Sequence, residues 1–315
     1  MHDVIVIGAG PAGLAAADYT LRHHLKTLVI APDLAGKAAY RLQLPWLTER
    51  EYISGEETVA ELRRRILESP TVMRYLEAVE QVFIHDRAFQ VITAEGGAAV
   101  GRSVIVATGV RARALGVPGE QRLFGYGVSY SATSHASLFV GRSVVVIGSD
   151  LRALHAVADL LPIAARVTLI APDPIALQAH LLGQRITQAE RITVLAGWRV
   201  AEIIGEDYAG GVIAVAPNGQ VQTVAADGVF IEHGLEAPTD FLDGLVARSD
   251  TGQILVNESG ATSCAGMFAA GDITNSADVE QILIALGAGA KAGLSACAYL
   301  REAPGWLRDQ SHAAG

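Results

Sequence analysis

Three glycines near the start of the chain have the spacing that a dinucleotide site requires. Gly8, Gly10 and Gly13 follow a β-branched run and, with Pro11 and Ala12 between them, open a segment rich in Ala and Leu. In a strand-turn-helix arrangement the first glycine permits the turn, the second lets backbone N–H groups approach a pyrophosphate, and the third allows close packing. The motif predicts a bound dinucleotide, and a turn used only for packing is the weaker alternative.

Two further loops carry residue types suited to the same ligand. Ala107-Thr108-Gly109 follows one apolar strand pattern, and Gly271 with Asp272 ends another. Gly271 allows close approach, and the Asp272 carboxylate can accept hydrogen bonds from ribose or ribityl hydroxyls. The usual carboxylate for an adenosine ribose would end the second strand, where Ala31 stands, so we assign that role to Asp33. We expect these loops to converge on one cofactor.

A second glycine motif, at residues 148–153, is altered where phosphate binding needs a small residue. Asp150 stands at the position of closest backbone approach, where its side chain would crowd a pyrophosphate and repel it. We therefore expect NAD(P)H binding to be badly impaired. The accompanying structural interpretation is that Asp150 caps the following helix, because a carboxylate stabilises a helix N-terminus. The domain would then keep its fold without its ligand.

The elements that position these loops occur twice in the chain. β-branched runs at 4–7 and 27–30 flank a first Ala- and Leu-rich helix pattern, and runs at 142–147 and 166–170 flank a second. Two such βαβ units predict an α/β fold with two Rossmann-like, three-layer ββα dinucleotide-binding domains, the second inserted into the first.

Turn-forming residues suggest where the insert begins and ends. The stretch 116–120 contains Gly, Pro and an acidic residue, and 236–240 contains Pro and two acidic residues, each between apolar segments. We predict a discontinuous first domain made of 1–115 and 243–315, and an insert of 116–242.

Composition excludes several classes of protein. The net charge of −9 comes with scattered basic residues, which argues against nucleic acid as a partner. Cys264 and Cys297 lie outside any CxxC or CxxH pattern, so we predict no metal site. We find no apolar run near the roughly 18 residues of a membrane helix, and a strand pattern begins at Val4, which leaves no leader. We expect a soluble, cytoplasmic protein without a membrane partner.

Taken together, these motifs resemble the low-molecular-weight thioredoxin reductase family over nearly the whole chain. The resemblance rests on the first glycine motif, Ala107-Thr108-Gly109, Gly127–Tyr130, Phe268–Asp272 and the segment from Gln281 to Ala292. It implies a homodimer with FAD in the first domain and NADPH in the inserted one. The FAD-binding residues that it implies are Gly8, Gly10, Pro11, Ala12, Gly13, Asp33, Gly36, Lys37, Ala107, Thr108, Gly109, Gly271, Asp272, Gln281 and Ile282.

The chain departs from this family at its redox centre. Where the family has Cys-Ala-Thr-Cys-Asp, this chain has Ser131-Ala132-Thr133-Ser134-His135. Serine hydroxyls have no accessible two-electron couple, so Ser131, Ser134 and His135 are predicted to be redox-inactive and the catalytic residues stay unassigned. Engineered Cys-to-Ser changes would give the same serines, but His135 and the altered second glycine motif favour natural divergence.

The family's cluster for the NADPH 2′-phosphate is also missing. After the strand pattern 166–170 come Ala171-Pro172-Asp173-Pro174, without an arginine and with an added carboxylate. We therefore expect FAD to be the cofactor and NADPH not to bind.

Three aromatic residues are candidates for stacking on the flavin. Tyr40 and Trp46 follow the segment that borders the flavin in this family, and Trp306 lies in a polar C-terminal tail. Ordinary packing for the first two, or a disordered tail for Trp306, is an equally good interpretation.

These observations favour an oxidoreductase that exchanges electrons between FAD and an external partner that is neither NADPH nor a thiol. The candidate partners are an electron carrier such as ferredoxin or flavodoxin, a small-molecule oxidant, and O2. A non-catalytic flavoprotein that acts through protein partners is the alternative from another class. A conventional NADPH-dependent reductase with unusual nucleotide contacts is a third, more remote hypothesis.

Overall fold

The computed structural model describes residues 1–47, 55–69, 72–86, 88–276 and 279–302. Its strands, in chain order, are β1 (His2–Ile7), β2 (Thr27–Ile30), β3 (Val72–Tyr75), β4 (Val79–His85), β5 (Ala88–Thr93), β6 (Ala98–Val106), β7 (Arg111–Ala112), β8 (Val128–Ser129), β9 (Ser143–Ile147), β10 (Arg166–Ala171), β11 (Ile192–Ala196), β12 (Arg199–Gly205), β13 (Ala209–Val215), β14 (Val221–Ala225), β15 (Gly228–Ile231), β16 (Leu235–Glu236) and β17 (Met267–Ala269). Its α-helices are α1 (Pro11–Arg22), α2 (Gly55–Glu68), α3 (Glu120–Leu123), α4 (Ala132–His135), α5 (Leu151–Leu160), α6 (Pro174–Ala179), α7 (Leu181–Ile186) and α8 (Ile282–Glu302). Single 3₁₀ turns cover Gly36–Ala39, Ala136–Phe139 and Asp240–Leu242.

The first unit is built on one mixed sheet with the order β3-β2-β1-β6-β5-β4, and β17 pairs with the second half of β6. β1 pairs in parallel with β2 and β6, whereas β5 is antiparallel to both β4 and β6. Val4, Ile5 and Val6 are fully buried, as expected for a central parallel strand covered on both faces. The carboxyl ends of β1, β2, β6 and β17 therefore meet at one edge of this sheet.

Helices α1 and α8 pack closely because small residues face one another. A Cβ at Gly289 would lie 2.0 Å from the Ala12 carbonyl oxygen, and one at Gly293 would lie 2.9 Å from the Ala16 carbonyl oxygen. Glycine at these positions lets the helix backbones approach each other. This contact holds α8 beside the start of α1.

One described helix, α8, is long and apolar enough to cross a membrane by length and composition alone. The expectation that no segment of that length and hydropathy exists was therefore wrong. Core helices pass the same criterion, and Ala292, Ala296, Cys297 and Leu300 of α8 are buried within the first unit. One face of the helix thus packs in the core of that unit, and the rest of the helix is exposed or half-buried.

The second unit contains a five-stranded parallel sheet with the order β11-β10-β9-β15-β8. A separate antiparallel sheet has the order β12-β13-β14, and β7 pairs with β16. Helix α5 buries Leu154, Val157 and Leu160, which share a core with Val144 and Val146 of β9. This is the second βαβ pattern expected from sequence, and the α/β fold with two Rossmann-like units is confirmed.

The chain divides into one unit of Met1–Tyr40, Ile53–Arg111 and Glu236–Gly315, and a second unit of Arg41–Tyr52 and Ala112–Leu235. These bounds differ from the predicted ones at 112–115 and 236–242, and above all at 41–52. The segment that starts at Arg41 belongs to the second unit because Leu42 and Leu44 are buried there. The sequence pattern shows that these leucines are apolar but does not show which core takes them.

Candidate cofactor site

The glycine loop of the first unit has the shape that the spacing predicts. Gly8 has φ +103°, and a Cβ there would lie 2.3 Å from the Ala107 carbonyl oxygen. A Cβ at Gly13 would lie 1.9 Å from the carbonyl oxygen of Gly8. Both contacts exclude any larger residue, because backbone atoms cannot move aside. They hold the first turn of α1 against the ends of β1 and β6.

Gly10 differs from its two neighbours in the motif, because the space beside it is open. Among the described residues, no atom beyond its chain neighbours lies within 4 Å of the position of a Gly10 Cβ. Gly10 is the N-cap of α1, has an extended backbone and supplies no side-chain cap, and Pro11 follows. The first N–H groups of α1 thus lie beside open space, which is the arrangement that accepts a phosphate.

Thr108 independently indicates that a polar ligand group binds beside the glycine loop. Its hydroxyl Oγ1 is buried and has no hydrogen-bond partner among the described residues. The Thr108 backbone nitrogen lies 2.9 Å from the position of a Gly8 Cβ, which places this residue beside the glycine loop. A buried hydroxyl without a partner is costly, so a polar group of a bound ligand would stabilise it. The adjacent Gly109 has φ +65° and turns the chain away.

The loop after β2 closes over the glycine turn. Gly36 has φ +55°, and a Cβ there would lie 3.1 Å from the Cα of Gly10. Asp33 Oδ1 accepts hydrogen bonds from the backbone N–H of Ala35 at 3.0 Å and of Gly36 at 2.5 Å. Asp33 is exposed and shapes this loop, so one of its oxygens is already engaged. Its role toward a ribose stays a prediction.

A charged cluster joins three loops of the first unit. Lys37 Nζ donates to Asp272 Oδ2 at 2.8 Å and forms a second ion pair with Glu280. Both carboxylates are largely buried, with side-chain exposures of 14% and 16%. Burial lowers the pKa of Lys37, but the charges of Asp272 and Glu280 outweigh burial and raise this pKa above its ordinary value. Lys37 is therefore an ammonium ion at neutral pH.

Close packing positions the residues next to this cluster. Gly271 has φ +78°, and a Cβ there would lie 2.9 Å from the Cβ of Ala12. Gln281 accepts a hydrogen bond from the Ala285 N–H at 3.0 Å through its carbonyl oxygen and so begins α8. Ile282 is half-buried and packs on the core of the first unit. Ala12 and Gly271 thus bring the start of α1 and the end of β17 together.

Sequence reasoning missed Glu280. A carboxylate immediately before Gln281, at the start of a helix, could have drawn attention to it. No spacing rule, however, connects Glu280 with Lys37, which lies 243 positions away in the sequence. The contacts of Gly8, Gly10, Gly36 and Thr108, together with the Lys37 ion pairs, bring the loops after β1, β2, β6 and β17 to the same edge of the first sheet.

The second glycine motif is arranged differently. Asp150 is the N-cap of α5, and its Oδ1 accepts a hydrogen bond from the Ala153 N–H at 3.2 Å. Asp173 caps α6 in the same way and accepts from the N–H groups of Ile175 and Ala176 at 2.9 and 3.0 Å. Both carboxylates occupy helix starts that would otherwise attract an anion. The capping role expected for Asp150 is present in the structure.

A buried carboxylate lies beside this second motif. A Cβ at Gly148, which has φ +152°, would lie 2.2 Å from the carbonyl oxygen of Glu232. The Glu232 side chain is buried, forms an ion pair with Arg152 of α5, and accepts a hydrogen bond from the Ala132 N–H at 2.7 Å. Arg152 also donates to the carbonyl oxygen of Tyr130 at 2.7 Å. This network fixes the start of α5 to the loop that precedes α4.

The paired serines of the second unit are hydrogen-bonded to each other. Ser131 Oγ donates to Ser134 Oγ at 3.0 Å, and Ser131 is the N-cap of α4. His135 Nδ1 lies 2.8 Å from the Oγ of Ser129. Burial lowers the pKa of His135 to about 4, so the imidazole is neutral at physiological pH. The loop holds hydroxyls and a neutral imidazole.

The three aromatic candidates have different surroundings. Trp46 packs within the second unit, where its Nε1 donates to the Leu138 carbonyl oxygen at 3.0 Å and its ring meets Phe139 edge-on at 5.7 Å. This is the ordinary packing raised as its alternative role. Tyr40 is 52% exposed, and Trp306 lies outside the described residues. Within the described parts of the chain, no group of three His, Cys, Asp or Glu side chains could hold a metal ion.

Comparison with known proteins identifies relatives along almost the whole chain. The family model described as pyridine nucleotide-disulphide oxidoreductase matches residues 2–292. A Bacillus subtilis protein named NADH dehydrogenase is 34% identical over 299 residues, and a Xanthomonas campestris component of alkyl hydroperoxide reductase is 32% identical over 302 residues. Both alignments cover 95% of this chain but only 58% and 57% of the relative, so the chain spans little more than half of their length.

Solved structures of thioredoxin reductases have the same fold. The enzyme from Streptococcus pyogenes aligns with a TM-score of 0.84 and 28% identity over 96% of this chain and 99% of its own. The enzyme from Lactococcus lactis aligns with a TM-score of 0.65 and 28% identity over 96% of this chain and 100% of its own. The resemblance inferred from the motifs is thereby confirmed. The chain belongs to the pyridine nucleotide-disulphide oxidoreductase family.

Proposed function

We propose that the protein is an FAD-dependent oxidoreductase whose flavin exchanges electrons with an external partner that is neither NADPH nor a dithiol of its own. The observation that carries the proposal is a contrast between the two units. The first unit retains an open glycine loop at Gly10 and a buried, unpartnered hydroxyl at Thr108. The second unit has hydroxyls at Ser131 and Ser134 where this resemblance places the redox thiols.

The residues of the first unit fit FAD. The N–H groups at the start of α1 would hold the pyrophosphate, since Gly10 leaves space there and a helix N-terminus favours an anion. The Thr108 hydroxyl and the Asp272 carboxylate would bind polar groups of the cofactor. Bound FAD would supply an electron acceptor that takes one or two electrons. Gly36 would help to enclose the dinucleotide by packing against Gly10.

An internal thiol relay has no support in this chain. A disulfide requires two sulfur atoms, and the pair at Ser131 and Ser134 supplies two oxygens joined by a hydrogen bond. Burial keeps His135 neutral near pH 7, and an imidazole has no redox couple that could pass electrons from the flavin. Electrons from the flavin would therefore leave through contact with another molecule.

Two carboxylates argue against NADPH as the donor. Asp150 caps the helix whose start would receive the pyrophosphate, and Asp173 stands where a cation would be needed for the 2′-phosphate. Each would repel the phosphate that it faces. We propose ferredoxin or flavodoxin, a small-molecule oxidant, or O2 as the external partner. A homodimer and a cytoplasmic location remain predictions.

Turnover with NADH is the second candidate function. It is favoured by the name NADH dehydrogenase of the relative from Bacillus subtilis, which is 34% identical to this chain. NADH lacks the 2′-phosphate, so the missing arginine near Asp173 would not count against it. Asp150 would still oppose its pyrophosphate. A non-catalytic flavoprotein is the third candidate.

Anaerobic titration of the purified protein distinguishes these candidates. The flavin absorbance should bleach with dithionite and with reduced ferredoxin or flavodoxin, and should not change with NADPH at micromolar concentration. Bleaching by NADH alone would support the second candidate. Reduction by dithionite but by no biological donor, together with no reoxidation by O2, would favour the non-catalytic protein. A protein that neither retains nor binds FAD would contradict all three.

A further inference from the structure

The loop after β2 reaches back to the glycine turn at the start of α1. Its 3₁₀ turn begins at Gly36, where the backbone has φ +55° and a Cβ would lie 3.1 Å from the Cα of Gly10. Gly36 therefore approaches the backbone of Gly10 closely. Because Gly10 is the N-cap of α1, this contact places the loop beside the expected pyrophosphate position.

A single side-chain oxygen shapes the loop ahead of Gly36. Asp33 Oδ1 accepts hydrogen bonds from the N–H groups of Ala35 at 3.0 Å and Gly36 at 2.5 Å. In such an Asx turn the side-chain acceptor takes the place of a backbone carbonyl and fixes the conformation of the residues that follow. Asp33 is exposed whereas Ala35 is buried, so the turn directs the chain from solvent into the first unit.

The far end of the same loop has its own attachment. Lys37 Nζ donates to Asp272 Oδ2 at 2.8 Å, and Ala38 is buried in the core of the first unit. These contacts hold the loop near the sheet edge, but they do not fix the backbone at Gly36. Loss of the Asp33 acceptor would therefore loosen the turn without detaching the loop, and we expect the protein still to fold.

We propose that Asp33 retains FAD by holding Gly36 against Gly10, and not by binding the adenosine ribose. The inference rests on the proposed FAD site and assigns Asp33 there as a positioning residue. Because the turn is formed in advance, FAD binding does not have to order the loop, which favours affinity. The effect falls mainly on the rate at which FAD dissociates, as it does for most changes within one binding site.

Asparagine at this position separates the two roles that the carboxylate could have. Its amide oxygen can accept the same two N–H groups, so Asp33→Asn keeps the turn. Its amide nitrogen replaces Oδ2 and cannot accept, so a ribose hydroxyl could no longer donate to it. Asp33→Ala removes the turn and any ribose contact together. A ribose ligand therefore predicts a loss in both variants, whereas a positioning residue predicts a loss in Asp33→Ala alone.

The test measures the dissociation constant of FAD by titrating the apoprotein of the full chain and following flavin fluorescence. We expect Asp33→Ala to weaken binding about tenfold and Asp33→Asn to stay within about threefold of the parent. Displacement of FAD in a stopped-flow instrument should show faster dissociation in Asp33→Ala. Asn218→Ala is the matched control, because Asn218 Oδ1 accepts the Gln220 N–H at 3.0 Å in an exposed turn of the second unit. This control should bind FAD like the parent.

FAD analogues that lack the 2′- or the 3′-hydroxyl of the adenosine give a second readout. If Asp33 acts through the turn, Asp33→Ala weakens the binding of each analogue by the same factor as that of FAD, because the substitution and the missing hydroxyl act independently. A factor that shrinks for either analogue would mean that Asp33 contacts that hydroxyl, and this would overturn the proposal.

Two other results would also overturn it, namely a loss of more than threefold in Asp33→Asn or a dissociation constant of Asp33→Ala within twofold of the parent. If Asp33→Ala fails to fold by circular dichroism, the affinity of Asp33→Asn decides by the same threefold limit. Failure of the parent to bind FAD would instead contradict the proposed function.

Discussion

The side-chain oxygens of Ser131 and Ser134 lie 3.0 Å apart and share a hydrogen bond. Ser131 also accepts from the Ser134 N–H at 3.3 Å, so the pair caps the single turn of α4. The backbone around the two positions is thus compact enough to bring two small polar side chains together.

Restoring both thiols should rebuild a disulfide without restoring a reductase. We expect Ser131→Cys combined with Ser134→Cys to oxidise to a disulfide, because the two side chains already meet across one turn. Titration of free thiols before and after reduction would measure how much of this disulfide forms. NADPH-driven reduction of a model disulfide should stay at background, since Asp150 is unchanged. Turnover with NADPH in this double variant would contradict our view of the second motif, and each single cysteine variant is a control.

Gly10 and Gly13 should respond differently to added side chains. Gly10→Val should leave the fold and the thermal stability of the apoprotein nearly unchanged but abolish FAD binding, because its side chain would occupy open space that the pyrophosphate needs. Gly13→Ala should lower the stability of the apoprotein, because its Cβ would lie 1.9 Å from the Gly8 carbonyl oxygen. Thermal unfolding and flavin content measure the two effects. Full flavin content in Gly10→Val would place the dinucleotide elsewhere.

His135 should make stability depend on pH on the acidic side. Burial lowers its pKa to about 4 from the ordinary 6.5, so the unfolded chain takes up the proton first as pH falls. The His135 contribution is fully present above pH 6.5 and is lost progressively toward pH 4, by about 3 kcal/mol at most. Urea unfolding from pH 4.5 to 7.5 should show this slope in the parent and a smaller one in His135→Asn. Ser129→Ala, which removes its hydroxyl partner, should retain most of the slope.

Loss of the Asp150 cap should destabilise the protein mildly. Asp150→Ala removes the acceptor for the Ala153 N–H and should lower the free energy of unfolding by about 1 kcal/mol, the usual effect of deleting a helix cap. Asp150→Asn keeps an acceptor oxygen and should lose less. Chemical denaturation of the three proteins at pH 7 tests this order. Equal stability of Asp150→Ala and the parent would mean that the cap contributes little.

The spacing of residues along the chain was sufficient to predict the strand, turn and helix at the start of the first unit. Gly8, Gly10 and Gly13 after a β-branched run predict a strand, turn and helix, and only glycine fits at positions 8 and 13, where a Cβ would meet the carbonyl oxygens of Ala107 and Gly8. The absence of thiols at positions 131 and 134 is likewise read directly from the sequence, which has Ser131 and Ser134 there. These features depend on local geometry and residue chemistry, which the sequence carries directly.

Only the tertiary structure decided which distant residues became partners. Lys37 and Glu280 form an ion pair although 243 positions separate them in the sequence. This pairing depends on where α8 begins relative to the loop after β2. Leu44 is buried in the second unit and Trp46 packs against the same core, although the preceding chain belongs to the first unit. Burial and long-range pairing depend on how whole elements pack, and no local spacing encodes that.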